Sequence, residues 1–196
     1  IWQRGSTSVS LAGSTSAYYC DRFLTTNATD GVISYALSTL VPDARFINSI
    51  AIAPTTADAT IAAAQYANLI YYVEGYDYRY IKNQIVTVSF YVRSTKVGVY
   101  CVSMRCNGVD RSYVVEYTIN AANTWERKTA TIDMTYTGGT DNFINGKGLY
   151  LTFTLAGGSN FVATPNVWST GNLTITANQV NFLDSDSNAF NITGVQ

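Results

Sequence analysis

Val86-Thr87-Val88-Ser89-Phe90-Tyr91-Val92-Arg93 alternates without a break between apolar side chains and side chains that carry a polar group. In an extended chain successive side chains point to opposite faces, so Val86, Val88, Phe90 and Val92 share one face and Thr87, Ser89, Tyr91 and Arg93 the other. A helix would scatter both sets around its axis; a half-buried strand sorts them. Runs of the same kind lie on both sides. Residues 97–105 read as the hairpin partner, and 111–119 follow across a turn at Asn107-Gly108. Residues 125–134 make a fourth run. Residues 149–155 place Leu149, Leu151, Phe153 and Leu155 on one face, and 173–177 and 190–195 close the set. Earlier in the chain 32–37 and 66–73 are further strands. Only 57–64, with Asp58 as a capping residue, reads as helical. The pattern is all-β, a sandwich or a barrel.

Composition narrows what such a domain does. A chain of 196 residues buries roughly 70% of its unfolded surface, enough for one substantial core. Charged residues are 13% of the chain and the formal net charge is -1. No Lys or Arg run is present to meet a phosphate backbone or an anionic membrane surface, so no nucleic acid partner is expected. The longest apolar stretches, Ile50-Ala51-Ile52-Ala53-Pro54 and Ile61-Ala62-Ala63-Ala64, fall far short of the ~20 residues that span a bilayer. The expectation is a soluble domain without a signal peptide at its start and without membrane insertion. The chain has no histidine, which removes Ser-His-Asp and Cys-His nucleophilic systems and His-ligated zinc. Cys20, Cys101 and Cys106 are an odd set. Five residues apart on one strand, Cys101 and Cys106 fall on opposite faces, out of disulfide reach. All three read as small buried hydrophobes in a chain that folds in a reducing compartment.

Trp2-Gln3-Arg4-Gly5, Asp21-Arg22-Phe23, the 86–93 strand and the closing Thr193-Gly194-Val195-Gln196 together resemble the receptor- or carbohydrate-binding-like domains of tail fibres and other virion appendages of tailed bacteriophages. The resemblance covers nearly the whole chain. It implies a jelly-roll-like β-sandwich of two antiparallel sheets, displayed at the virion surface after assembly in the host cytoplasm, and often trimeric. In that family the closing strand runs through Gly-Val-Gln into a Leu-Glu pair. A chain that starts at Ile1 without Met and stops at Gln196 is therefore expected to be one domain, 1–196, of a longer virion protein. The expected partners are a host-surface polysaccharide or glycan, other virion proteins and two further copies of the chain, with Tyr91, Tyr100 and Tyr113 read as outward-facing interface rings. Arg4, Asp21 and Arg22 read as a structural clamp of the first strands and Trp2 as an anchor. A purely structural virion domain is the alternative function, and a polysaccharide-degrading spike a third.

The loops 135–148 and 156–172 are long for a sandwich, and such loops are where binding tends to sit. They carry the expected carbohydrate site: Trp168, Phe161 and Tyr136 as ring platforms, with Asp141 and Asn142 to bond sugar hydroxyls. The competing reading of Trp168 is that it folds back and pins its own loop. Asp184-Ser185-Asp186-Ser187-Asn188 places oxygens at alternate positions, as a Ca²⁺ site does, but lacks the glycine and distal glutamate of the helix-loop-helix motif. It reads as a solvated turn, so neither metal nor cofactor is expected. Glu74, Asp77, Glu116, Glu126 and Asp133 lie in or beside predicted strands, and no spacing brings two of them together as a glycoside-cleaving pair. The expectation is a binding domain, not an enzyme.

Overall fold

The computed structural model describes residues 8–20 and 22–196. The strands are β1 (Ser8–Ala12), β2 (Thr15–Cys20), β3 (Phe23–Asn27), β4 (Val32–Ser38), β5 (Ser49–Thr56), β6 (Tyr66–Glu74), β7 (Ile85–Ser94), β8 (Gly98–Cys106), β9 (Arg111–Ile119), β10 (Glu126–Asp133), β11 (Lys147–Gly157), β12 (Trp168–Thr170) and β13 (Phe190–Thr193). They form two antiparallel sheets, one of six strands in the order β1-β4-β5-β13-β7-β10 and one of seven in the order β12-β9-β8-β11-β6-β3-β2. The chain passes repeatedly from one sheet to the other, and the two pack face to face as a jelly-roll-like sandwich.

The alternating runs point their apolar sides into the shared core. Phe90 from the first sheet meets Tyr117 and Phe153 from the second edge to face, with ring centroids 5.1 and 4.9 Å apart. Leu149, Leu151, Phe153 and Leu155 are all buried, as their spacing requires. Trp2, Arg4 and Asp21 lie outside the described residues. Arg22 donates from Nη1 to the Tyr71 hydroxyl at 3.3 Å. At the other terminus Ser89 and Gln196 exchange backbone hydrogen bonds of 2.9 Å in each direction, so the closing motif extends the pairing of β13 with β7.

Four expectations are corrected. Residues 97–105 are not the hairpin partner of 86–93: β7 pairs with β13 and β10, and β8 with β9 and β11 in the other sheet. Tyr100 and Tyr113 are buried in the core, Tyr100 completely, because they share the inward face of the β8/β9 hairpin with Val102, Met104, Val115 and Tyr117. The Tyr100 hydroxyl bonds Lys96 O at 3.0 Å, which lets a phenol be buried without an orphaned polar group. Tyr91 is half-buried, its ring 5.2 Å from that of Phe46. Residues 57–64 form turns, not helix: the Asp58 carboxylate accepts from the backbone N–H of Asp30 and of Thr60, and its own N–H donates to Leu183 O. Residues 173–177 form no strand; Ile175 makes a single parallel bridge to Val162. The α-helix that does form, α1 (Gly75–Ile81), is held by tertiary packing. The Tyr78 ring stacks on Phe143 at 4.9 Å, and a Cβ at Gly75 would stand 2.2 Å from Ile144 O.

Cys20, Cys101 and Cys106 are all buried. Cys106 belongs to the core between the sheets, whereas Cys101 lies on the opposite face of β8 in a smaller cluster with Val114, Ala163 and Ile175. No helix among the described residues is long and apolar enough to cross a membrane.

Candidate functional site

Strand alternation that fills the core also fixes what the seven-stranded sheet shows on its other side. Outward from β6 point Asn68, Ile70 and Tyr72; from β11, Tyr150, Thr152 and Thr154; from β8, Cys101, Ser103 and Arg105; from β9, Ser112, Val114 and Glu116. A strap formed by residues 158–180 covers the β9 side of this face, seating Phe161, Leu173 and Ile175 on Cys101 and Val114. Gly158 donates its N–H to Gln65 O and Asn160 to Ala63 O, which fastens the start of the strap. The approach is so close that a Cβ at Gly158 would fall 2.0 Å from Ala62 O.

Beyond the strap the face carries a row of tyrosines. Register sets Tyr72 opposite Tyr150, and Tyr150 opposite Arg105. The Tyr72 and Tyr150 rings meet edge to face at 4.8 Å, and Tyr18 on β2 extends the row, 6.4 Å from Tyr72. Tyr18 is 48% exposed; Tyr72 and Tyr150 are half-buried. Lys147, exposed at the start of β11, holds its Nζ 4.4 Å from the Tyr72 centroid and 5.6 Å from that of Tyr150. Burial pulls the Lys147 pKa down, but the neighbouring phenols Tyr72 and Tyr150 outweigh it and raise it, so the ammonium form is secure at neutral pH.

Arg105 closes the row from below. Only 5% exposed, it stacks its guanidinium 5.2 Å from the Tyr150 centroid, donates to Thr152 Oγ1 at 2.8 Å and bonds the Asn172 side chain. Its Nε has no hydrogen-bond partner among the described residues. Burial is the main cause that pushes its pKa down, to about 10, which still leaves it charged. Flat rings with hydroxyls, flanked by cations, can stack on the faces of a pyranose and exchange hydrogen bonds with its substituents.

The residues expected from sequence separate into two places. Trp168, Tyr136 and Asp141 come together at the end of the sandwich. The half-buried Trp168 donates Nε1–H to Asp133 O at 2.6 Å and lays its ring 3.9 Å from that of Tyr136. Tyr136 is buried, and its hydroxyl bonds both Asp141 and Tyr78. Burial foremost, then its bonds to Asp141 and Tyr78, raise the Tyr136 pKa. Asp141 also accepts from Lys82 Nζ at 3.0 Å, and that ammonium lies over the Tyr136 ring. Asn142 turns its amide inward, to Asn145 O and Lys147 O, and accepts from the Ile144 N–H. Phe161 stands apart in the strap, edge to face with Tyr66 at 5.2 Å. The groups meant to meet a sugar at the loop tips are thus largely engaged within the protein. A depression of about 300 Å³ does remain beside Trp168, lined by Arg111, Thr135, Tyr136 and Thr137.

Sequence reasoning missed Tyr18, Tyr72, Tyr150, Lys147 and Arg105. The signal was present in the polar sides of the strands, and it needs the strand pairing to be read. A cavity of about 580 Å³ between the sheets is larger, but Phe23, Phe46, Tyr71, Val88, Met104 and Leu151 make its lining mostly hydrocarbon, unsuited to a hydroxyl-rich ligand. The 184–188 turn is tied internally: Asp184 pairs with Lys96 and accepts from Asn188 Nδ2 at 2.9 Å. Among the described residues no group of three potential ligands could hold a metal ion.

No protein-family model matches the chain, and no curated protein matches it. Solved structures of similar shape include the enzymatically active domain of tailspike protein 4 of bacteriophage CBA120, at 11% identity and a TM-score of 0.46. That match covers 89% of this chain and 19% of the tailspike chain. A family 11 carbohydrate-binding module from Clostridium thermocellum, in complex with a β-1,3-1,4-mixed-linked tetrasaccharide, aligns over 94% of this chain and 95% of its own, at 10% identity and a TM-score of 0.44. A CBM4 structure aligns over 89% and 92%, at 10% identity and a TM-score of 0.41.

Proposed function

We propose that this domain is a glycan-binding module of a phage virion appendage, which adheres to host-surface polysaccharide without cleaving it. The observation that carries the binding reading is the Tyr18-Tyr72-Tyr150 row on the outer face of the seven-stranded sheet, with Lys147 against it. An extended row of rings on a rigid sheet suits a chain-like ligand better than a single small molecule. The virion setting at the particle surface, the neighbouring virion proteins and the trimer rest on the terminal motifs and their resemblance. With Tyr100 and Tyr113 in the core, Tyr91 is what remains of the interface argument.

Binding without cleavage is supported by two of the carboxylates weighed above. Glu126 is engaged by Asn120, Ala121 and Lys128, and Glu116 by Thr176 and Asn178. The test is an array of bacterial surface polysaccharides probed with the domain, together with a reducing-sugar assay on whichever ligand binds. Specific retention without sugar release supports the reading; release of reducing ends overturns its non-enzymatic part. The same tyrosines would suit a partly wet subunit contact. A blank array, with the face protected in the assembled particle, would select that structural role.

A further inference from the structure

We propose that the glycan bound on this face is acidic, and that Lys147 meets its carboxylate or phosphate group while the sugar ring stacks on Tyr72 or Tyr150. The inference rests on the glycan-binding reading above and adds the charge of the ligand. Two cations flank the Tyr150 ring from different strands, Lys147 and Arg105, and neither forms an ion pair among the described residues. Of the carboxylates on the same face, Glu74 stands in register with Lys147 but forms no ion pair with it, and Glu116 is held by Thr176 and Asn178 further along β9.

Charge without a counterion is costly where solvent is excluded, and Arg105 is nearly buried. Neutral partners, Thr152 and Asn172, satisfy some of its donors while leaving its charge uncompensated. That charge acts on the tyrosine row, where low-dielectric surroundings extend its reach. Lys147 is the reachable member, exposed and placed over two rings, so an incoming anion can take its ammonium without displacing a protein carboxylate. A chain with a net charge near zero gains no general affinity for polyanions from its total charge, so a preference for acidic sugars must come from this local pair.

The test uses polygalacturonate, alginate, hyaluronate and polysialic acid, a phosphate-bearing teichoic polymer, the carboxyl-reduced forms of the four carboxylates, and a set of neutral polysaccharides, with binding followed by titration at 50 and 300 mM salt. At least one acidic polymer should bind about tenfold or more tightly than its neutral counterpart, dephosphorylated for the teichoic polymer, with the advantage shrinking at the higher salt. Lys147→Gln should reduce that advantage to about twofold, whereas Lys147→Arg should restore it. Lys147 is exposed, so a folded variant is expected, to be verified by an unchanged thermal midpoint. Equal binding of acidic and neutral forms, or a preference that survives Lys147→Gln, overturns the inference while leaving glycan binding intact. Binding of neutral polysaccharides alone does the same. Failure to bind any polymer overturns the glycan reading itself, and this inference with it.

Discussion

Tyr72 and Tyr150 are register partners across the β6/β11 pair, with ring centroids 4.8 Å apart and ring planes at 78°. The edge-to-face contact fixes each ring against the other, so little side-chain entropy remains to be lost when a ligand stacks on either. Tyr18, at the outer end of the row, is the most exposed of the three and the least tied down. Tyr18→Ala should weaken glycan binding severalfold and move stability by less than about 0.5 kcal/mol. Parallel ligand titration and chemical denaturation check both parts; a large loss of stability would show that the ring serves packing instead.

Phe90 is fully buried at the point where the sheets meet, between Tyr117 and Phe153. Phe90→Ala removes a ring that both sheets pack against, and about 3–5 kcal/mol of stability should go with it. The denaturant midpoint should fall accordingly; a midpoint close to that of the parent would contradict the packing account.

Trp168 tests the division between the two candidate regions. Its indole closes over Tyr136 and bonds Asp133 O. Trp168→Ala should therefore cost about 2 kcal/mol of stability, with Trp168→Phe recovering part of it, and neither should alter glycan affinity in the folded protein. A selective loss of binding at unchanged stability would return the site to the loops.

The Glu126 carboxylate accepts from the backbone N–H groups of Asn120 and Ala121, from Asn120 Nδ2 and from Lys128 Nζ at 2.6 Å. Burial alone would raise its pKa, but these bonds prevail and hold it at about 2, against 4.5 for an unperturbed side chain. A carboxyl whose pKa is depressed on folding stabilises the native state fully above its unfolded pKa, and that contribution is lost as pH falls from about 4.5 toward 2. Glu126→Gln should be less stable than the parent at pH 6, with the gap closing as pH is lowered through that window. Thermal midpoints of both proteins between pH 2 and pH 7 measure the gap; one that stays constant would show that the carboxylate charge is not what these bonds recognise.

The strands were legible because their chemistry is periodic. Residues 86–93 and 149–155 alternate so regularly that the buried face follows from spacing alone, and 111–119 coincides with β9, but spacing does not give the pairing of 86–93, which lies beside β13 and β10. Residues 57–64 misled because alanines favour helix only where nothing competes, and here Asp58 binds the backbone of a neighbouring loop instead. Tyr100 and Tyr113 misled because a tyrosine fits either face; both lie on the inward face of the β8/β9 hairpin, where Lys96 O receives the Tyr100 hydroxyl. The candidate site on the outer sheet face was illegible for a related reason. Tyr18, Tyr72 and Tyr150 come from strands far apart in sequence, so their adjacency exists only once β2, β3, β6 and β11 are placed side by side.

The most direct test of the account is an isothermal titration of the parent and of Tyr72→Ala and Tyr150→Ala with the polysaccharide selected on the array. Truncating a central aromatic anchor costs about 2 kcal/mol of binding energy, or roughly thirtyfold in Kd. Each variant is predicted to lose at least that much affinity while its unfolding transition stays cooperative. Binding at parental affinity by both folded variants would contradict the claim that this sheet face is the glycan site.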